Sequence, residues 1–520
     1  MRPMAVKTSP EGATQGSQGR NPWNQAFQQT GALKGRSIRW VAPSGLGSPP
    51  RRSSQGMRPW LSWDAPSGLI LTAMRMRARW PVILCLAVCG CADIAAARRA
   101  QDASAAPPGE RTILAKDVGL DTADAQLTLD RGLEISLASN SSIAASHARV
   151  ESAEARIKEL RGPLGPQVTI SSNYRASWSA QGVDDPQESH SEGITLSQLL
   201  FDFGKTSAQA KQASDQYVAA LSDLQNQRND IALGYLSAHF GVLKQQGLVR
   251  VAEENVEQFE KRLEQVEGFV KAGIRIRYDV TKAQVDLGNA RLQLVQARTA
   301  LTKQRATLEN ALGLAEDAPF RLVDGSLADV GLDDFGALLA RARESHPKLA
   351  ALVSRESAAS SALDAAVADL APAISFQGGF TGSGDLVSPT VWSAFLSPVF
   401  NWVLFNGGAK SARVREAIGA LREARALRAQ EEQQVFLDLR QAVSLRDDAM
   451  ERLSITTLTL KSAQENSDLV QGLYAAGRAS SVELTDAQVA LSKAQGDQVT
   501  AQYDYQIAIA TVMRAIGTTR

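Results

Sequence analysis

At 520 residues the chain has room for two or more domain-sized units, and its formal net charge of +1 hides an asymmetry. Residues 1–99 hold about 14 Lys/Arg against about 3 Asp/Glu, which leaves about −10 for the rest and argues against a basic nucleic-acid binder. The three cysteines (Cys85, Cys89, Cys91) share one apolar run, and the four histidines (His147, His190, His239, His346) lack metal-ligand spacing. With no P-loop, GxSxG or GxGxxG between a strand and a helix, the chain reads as neither an enzyme nor a cofactor or metal protein.

Residues 1–73 are rich in Ser, Gly, Pro, Arg and Trp without any period, and read as a disordered extension in front of a mis-assigned start. Residues 74–97 have the anatomy of an export signal. Arg75, Arg77 and Arg79 precede the apolar run Pro81 to Gly90, too short to span a bilayer, and small residues follow at Ala95, Ala96 and Ala97. VCGC, ending at Cys91, resembles a bacterial lipobox in which that cysteine is acylated. The competing reading is plain cleavage after Ala97. Residues 98–125 then read as a linker.

Two units follow, 126–313 and 336–517, joined by a second linker at 314–335. In the first, QVTISSNYRASW predicts a strand at 167–178, with Val168, Ile170, Tyr174 and Trp178 on one face and Gln167, Thr169, Ser171, Asn173 and Arg175 on the other. GITLSQLLF predicts a second strand at 193–201. The second unit repeats the pattern at 373–381, where Ile374, Phe376 and Phe380 alternate with Ser375, Gln377 and Thr381, and at 391–405. Such alternation suits a wet-lumen membrane barrel and equally one face of a soluble sheet.

A heptad seam opens at Tyr217 and runs through Leu224, Ile231, Tyr235, Ala238, Val242, Val249, Val256, Phe259, Leu263, Val266 and Val270, broken only by Arg228 and Gln245. It predicts one helix over 205–271, about 100 Å long. Ala272-Gly273 ends it. The next helix alternates large and small residues (Leu287, Ala290, Leu294, Ala297, Leu301), as does its counterpart after Ala476-Gly477 (Leu484, Ala487, Leu491, Ala494). GFVKAGIRIRYDVTKAQVDLGNA, from Gly268, aligns without a gap to GLYAAGRASSVELTDAQVALSKA, from Gly472, and LLFDFGKTSAQAKQA aligns to VLFNGGAKSARVREA. Both alignments have the same offset of 204 residues. Each unit therefore reads helix, strand, strand, long helix, break, helix.

LFDFGK at 200–205, LFNGG at 404–408 and the twin helix breaks resemble the TolC family of outer-membrane channels. ASNSSI at 138–143 and ESHPKL at 344–349 look like that family's A-x-x-N-P-x-I element. The first copy lacks its proline and the second its asparagine. The resemblance covers roughly 126–517. It implies a mainly α fold with a small β part: a homotrimer whose helices form a periplasmic barrel, continued by a 12-stranded β-barrel in outer-membrane lipid. It also implies a periplasmic adaptor and an inner-membrane ABC or proton-driven transporter as partners, and no nucleic acid.

Carried over by position, the family's periplasmic gate falls on Asp279, Tyr474, Arg478, Glu483 and Asp486, with Gly273 and Gly477 as the helix-break glycines. The family often has an arginine where this chain has Ala479; Arg478 is its neighbour. Acidic residues in a first helical turn also serve as caps whatever the function. The expected function is the exit duct of a tripartite export machine. The LFDFGK wording inclines the reading to type I protein secretion; the alternatives are a small-molecule or metal efflux duct and an exported coiled-coil scaffold without a pore.

Overall fold

The computed structural model describes residues 114–518 apart from 123, 178–186, 274, 316, 328–333 and 386–389. The extension, the signal anatomy, Cys91 and Trp178 lie outside the described residues.

The internal repeat becomes two copies of one unit. The first contains β1 (Gln126–Leu127), α1 (Leu129–Ser139), α2 (Ser141–Arg161), β2 (Gln167–Ser177), β3 (Gln187–Phe201), α3 (Lys205–Lys271) and α4 (Arg277–Ala311). The second contains β4 (Arg321–Leu322), α5 (Phe335–Ser345), α6 (Pro347–Ala368), β5 (Ala373–Asp385), β6 (Val391–Asn401), α7 (Ala409–Ala475) and α8 (Ser481–Ile516). The degenerate element does the same job in both copies by different chemistry. Asn140 Oδ1 accepts the Ser142 N–H at 2.9 Å to start α2, whereas in the second copy Pro347 occupies the first turn of α6, where its missing N–H costs nothing.

Strands β2, β3, β5 and β6 form one antiparallel sheet in that order. Its register lines up Val168 with Leu196, Ile170 with Ile194, Ile194 with Phe380 and Gly378 with Leu396, so these share one face. Gln167 with Ser197, Thr169 with Thr195, Ser197 with Gln377 and Gln377 with Ser397 share the other. On β6 the rule is looser, since Phe395 and Val399 stand on the polar face.

Three strand limits differ from the periodicity: β5 runs on to Asp385, past 381, as its ladder to β3 continues. β3 begins at Gln187, ahead of the apolar run, because its ladder to β2 continues out to Ser177. β6 ends at Asn401, because its last partner is Ala373, just after Pro372. Residues 402–405 therefore leave the sheet, and Leu404 and Phe405 are strongly exposed.

The helices pack as long hairpins, α3 along α4 and α7 along α8, with α6 lying against both α3 and α7. Ala283, Leu287, Ala290, Ala487, Ala494, Ala501 and Ala508 are buried, which is the close approach that alternating small residues permit. Over their described parts the two linker segments are not loose connectors. β1 and β4 pair in parallel, and Leu120, Leu127, Ala318 and Phe320 are buried with Tyr235, Phe240, Leu308 and Leu312 in one apolar cluster. Unpaired, β1 and β4 would expose this apolar surface.

Within that cluster His239 is fully buried. Its Nδ1 lies 3.2 Å from Tyr235 Oη, and its Nε2, near the Val323 backbone, makes no complete hydrogen bond. Burial pushes the His239 pKa down to about 4. The unfolded chain therefore binds a proton near pH 6.5 that the folded chain refuses. Stability from this residue is complete above pH 6.5 and is lost as pH falls toward 4, by about 3 kcal/mol per protomer in all. His346, also buried and pushed down first by burial and then by Arg514, acts in the same direction. Urea midpoints measured from pH 7 to 4 should fall steeply for the wild type and less steeply for His239→Gln. Equal slopes would show that His239 is not the titrating group.

Candidate functional site

The helix breaks are alike in geometry. Gly273 and Gly477 take φ of +75° and +71°, in the left-handed region that a side chain disfavours. A Cβ at either position would meet nothing within 4 Å, so backbone angle and not space demands glycine. At the second break Gly477 N donates to Tyr474 O at 3.0 Å and Arg478 N to Leu473 O at 2.8 Å, closing the last turn of α7. At the first, Ala272 N donates to Gly268 O and Gly273 N to Val270 O, each at 3.0 Å.

The helices that restart differ in how they begin. Ser480 Oγ accepts from Glu483 N at 3.2 Å, and Ser480 N donates to Glu483 Oε2 at 2.7 Å, a reciprocal cap. α4 starts after Ile276 with no side-chain cap, and its first turn carries Asp279, whose backbone N–H donates to Ile276 O at 3.0 Å.

The structure gathers Asp279 and Tyr474 around a residue that the sequence reading missed. Arg262, on α3 one position before the seam residue Leu263, is only 4 % exposed. Its Nη1 donates to Gln488 Oε1 at 3.1 Å and its Nη2 to the Ser481 carbonyl, both on α8. Burial pushes the Arg262 pKa down, while the fields of Tyr474, Asp286 and Asp279 hold it up. Its Nε, and Oδ2 of Asp286, are buried without a hydrogen bond.

A second tie runs between the units. The Arg275 guanidinium stands 5.4 Å from the centre of the Tyr474 ring, a cation–π contact from the first break to the second long helix. Arg478, Glu483 and Asp486 remain exposed at the same end, and Glu483 is engaged by its own helix. Arg262 gave no sequence signal. A charged residue beside a heptad seam normally faces water, and only the arrival of α8 buries this one.

A sheet with one apolar face exposed, prolonged by helical hairpins of 67 and about 35 residues, together with the sequence family it carries, marks a protomer of an outer-membrane channel rather than an enzyme. The chain belongs to the outer membrane efflux protein family, the TolC family: the sequence profile described as "Outer membrane efflux protein" matches residues 132–314 and 338–518, one match in each unit. "Protein CyaE" of Bordetella pertussis is 26% identical over 342 residues, covering 63% of this chain and 72% of that protein. "Probable outer membrane lipoprotein SilC" of Salmonella typhimurium is 22% identical over 377 residues, covering 71% of this chain and 81% of that protein. Among solved structures, CusC superposes with a TM-score of 0.68 at 19% identity, over 75% of this chain and 92% of CusC. Membership places the protein in the outer membrane and sets aside the poreless scaffold.

Proposed function

We propose that three copies of this chain close into one duct that carries export substrates out through the outer membrane. The observation that carries this reading is the sheet. It has four strands, an exposed apolar face (Val168, Ile170, Leu196, Phe380, Leu396) and outer edges on β2 and β6 without a partner among the described residues. Backbone edges are not tolerated in lipid, and four strands of this length cannot curl into a closed barrel, so copies must pool their strands. The helices support the same reading. α6 is held between α3 and α7, whereas α2, its counterpart, packs lengthwise on α3 and leaves Ala145, Ala148, Ser152 and Ala155 exposed. By the repeat symmetry, α7 of a neighbouring copy fits there.

The energy for transport comes from an inner-membrane transporter joined through a periplasmic adaptor. The LFDFGK wording favours type I secretion of a polypeptide; the alternative is efflux of small molecules or metals. A deletion strain separates them: loss of one secreted polypeptide without new drug or metal sensitivity supports secretion, and the reverse pattern supports efflux.

The helix-break end acts as the gate, and its acidic residues form rings at the narrowed mouth. Replacing Asp279, Glu483 and Asp486 together by alanine should raise single-channel conductance in planar bilayers or weaken block by a trivalent cation. Each single change should do less, because the ring's field is shared. The fold should survive, since first-turn carboxylates contribute about 0.3–1 kcal/mol each. Unchanged conductance and unchanged block would leave these residues as helix caps.

A further inference from the structure

The junction where strands give way to long helices holds two features that the duct does not use. The first is a strained aromatic residue. Phe203 takes φ +54°, the one described residue other than glycine with positive φ. Its counterpart in the second unit is Gly407, at φ +67°, where the same backbone turn is free of strain. Phe203 is nonetheless half exposed and packs edge-on against Phe201, with ring centres 4.8 Å apart. Beside the other strand pair, Trp402, Leu404 and Phe405 are exposed as well, and Trp402 Nε1 donates to the Leu370 carbonyl at 3.2 Å. A phenyl ring kept in an unfavourable backbone conformation and facing outward implies a surrounding that rewards it.

The second feature is charge. Asp369, at the C-terminus of α6, is ringed by three cations. Lys205 Nζ is 2.5 Å from Oδ1, Arg413 Nη1 is 3.4 Å from Oδ2, and Lys410 Nζ donates to the Asp369 carbonyl and lies 4.0 Å from Oδ2. The neighbouring carboxylate, Asp202, is spent on its own helix: it accepts from Gly204 N at 3.1 Å and Thr206 N at 2.7 Å. Positive charge is thus left over, and it is open to a ligand, since the Arg413 side chain is 64% exposed and that of Lys205 is 40% exposed.

We propose that this junction binds the phosphate headgroup of an anionic phospholipid in the periplasmic leaflet of the outer membrane, with Arg413 and Lys205 on the phosphate and Phe203, Trp402 and Phe405 in the acyl boundary. The inference rests on the membrane-duct reading, which puts the end of the strands at the membrane surface. Aromatic rings prefer the headgroup level, and lysine and arginine just outside it reach phosphate oxygens. The guanidinium supplies paired donors to one phosphate. Lys410 stays on the α6 carbonyl and holds Asp369 in place.

The test is the thermal midpoint of the detergent-solubilised full-length oligomer against added phosphatidylglycerol, phosphatidylcholine or inorganic phosphate. Phosphatidylglycerol alone should raise the midpoint by several degrees. Lys205→Gln/Arg413→Gln should need roughly tenfold more of that lipid for the same shift, because two charge-assisted contacts to the phosphate are gone. Phe203→Gly should be at least as stable as wild type without lipid, since strain is relieved, yet respond less to phosphatidylglycerol. An equal response to all three additives, a response to inorganic phosphate as large as that to the lipid, or a double variant that responds like wild type would overturn the proposal. Bilayer conductance of the same preparations keeps the readings apart: a conducting wild type without a lipid response removes this site and leaves the duct, and a non-conducting one removes the duct.

Discussion

Arg262→Ala is expected to leave the helix-break end of the duct open. In each protomer the substitution removes two hydrogen bonds from a buried guanidinium, to Gln488 Oε1 and the Ser481 carbonyl, and with them the tie from α3 to the start of α8. It also removes a cation that faces the half-buried carboxylates Asp286 and Asp279. Breaking one such buried charged contact costs about 3 kcal/mol, repeated in every copy around the ring. If the helix-break end is the gate, the closed arrangement bears that cost, because the tie joins α3 to α8 across the two hairpins. Single-channel recordings should therefore show a conductance several-fold above wild type. Arg262→Lys keeps the charge but cannot reach both acceptors, and should fall between the two. A variant with wild-type conductance and a lowered melting temperature would make Arg262 an ordinary buried cation with no part in closure.

Ile170→Arg should block assembly, while Thr169→Arg, one residue away, should be tolerated. Ile170 shares its face with Ile194, Phe380 and Ala394, in the apolar band of the sheet. An arginine near the middle of such a band costs about 2–4 kcal/mol per chain, and closure of a trimer would place three of them in lipid. Thr169 points to the face of Thr195, Gly379 and Phe395, which the duct reading turns toward water. The amount of heat-resistant oligomer in outer-membrane fractions reads the difference directly. Similar loss from both substitutions would mean that the two faces are not lipid and lumen.

Family membership and the mainly helical duplicated fold were legible in the sequence. Both rest on signals that recur at short range: a heptad seam, alternation along strands, and a glycine where a helix must stop. The paired backbone angles of Gly273 and Gly477 follow from residues local to each break. The packed linkers were not legible, since strands of two residues carry no period and β1 meets β4 across almost 200 residues. The candidate site was legible only in part. Asp279 and Tyr474 could be placed by resemblance, but Arg262, Arg275, Asp286 and Gln488 acquire their roles through partners distant in the chain.

By itself the sequence determined what each segment of this protein can be: two long helices each, two alternating strands each, and where each helix starts and stops. Those properties belong to the backbone and to neighbours within about one helical turn. Only the tertiary structure decided which surfaces are covered and which stay open. It buried Arg262 against α8, buried His239 near the Val323 backbone, ringed Asp369 with cations from α3 and α7, and left the apolar face of the sheet without a cover. Burial and charge pairing depend on groups brought together from far along the chain, and no local pattern specifies them.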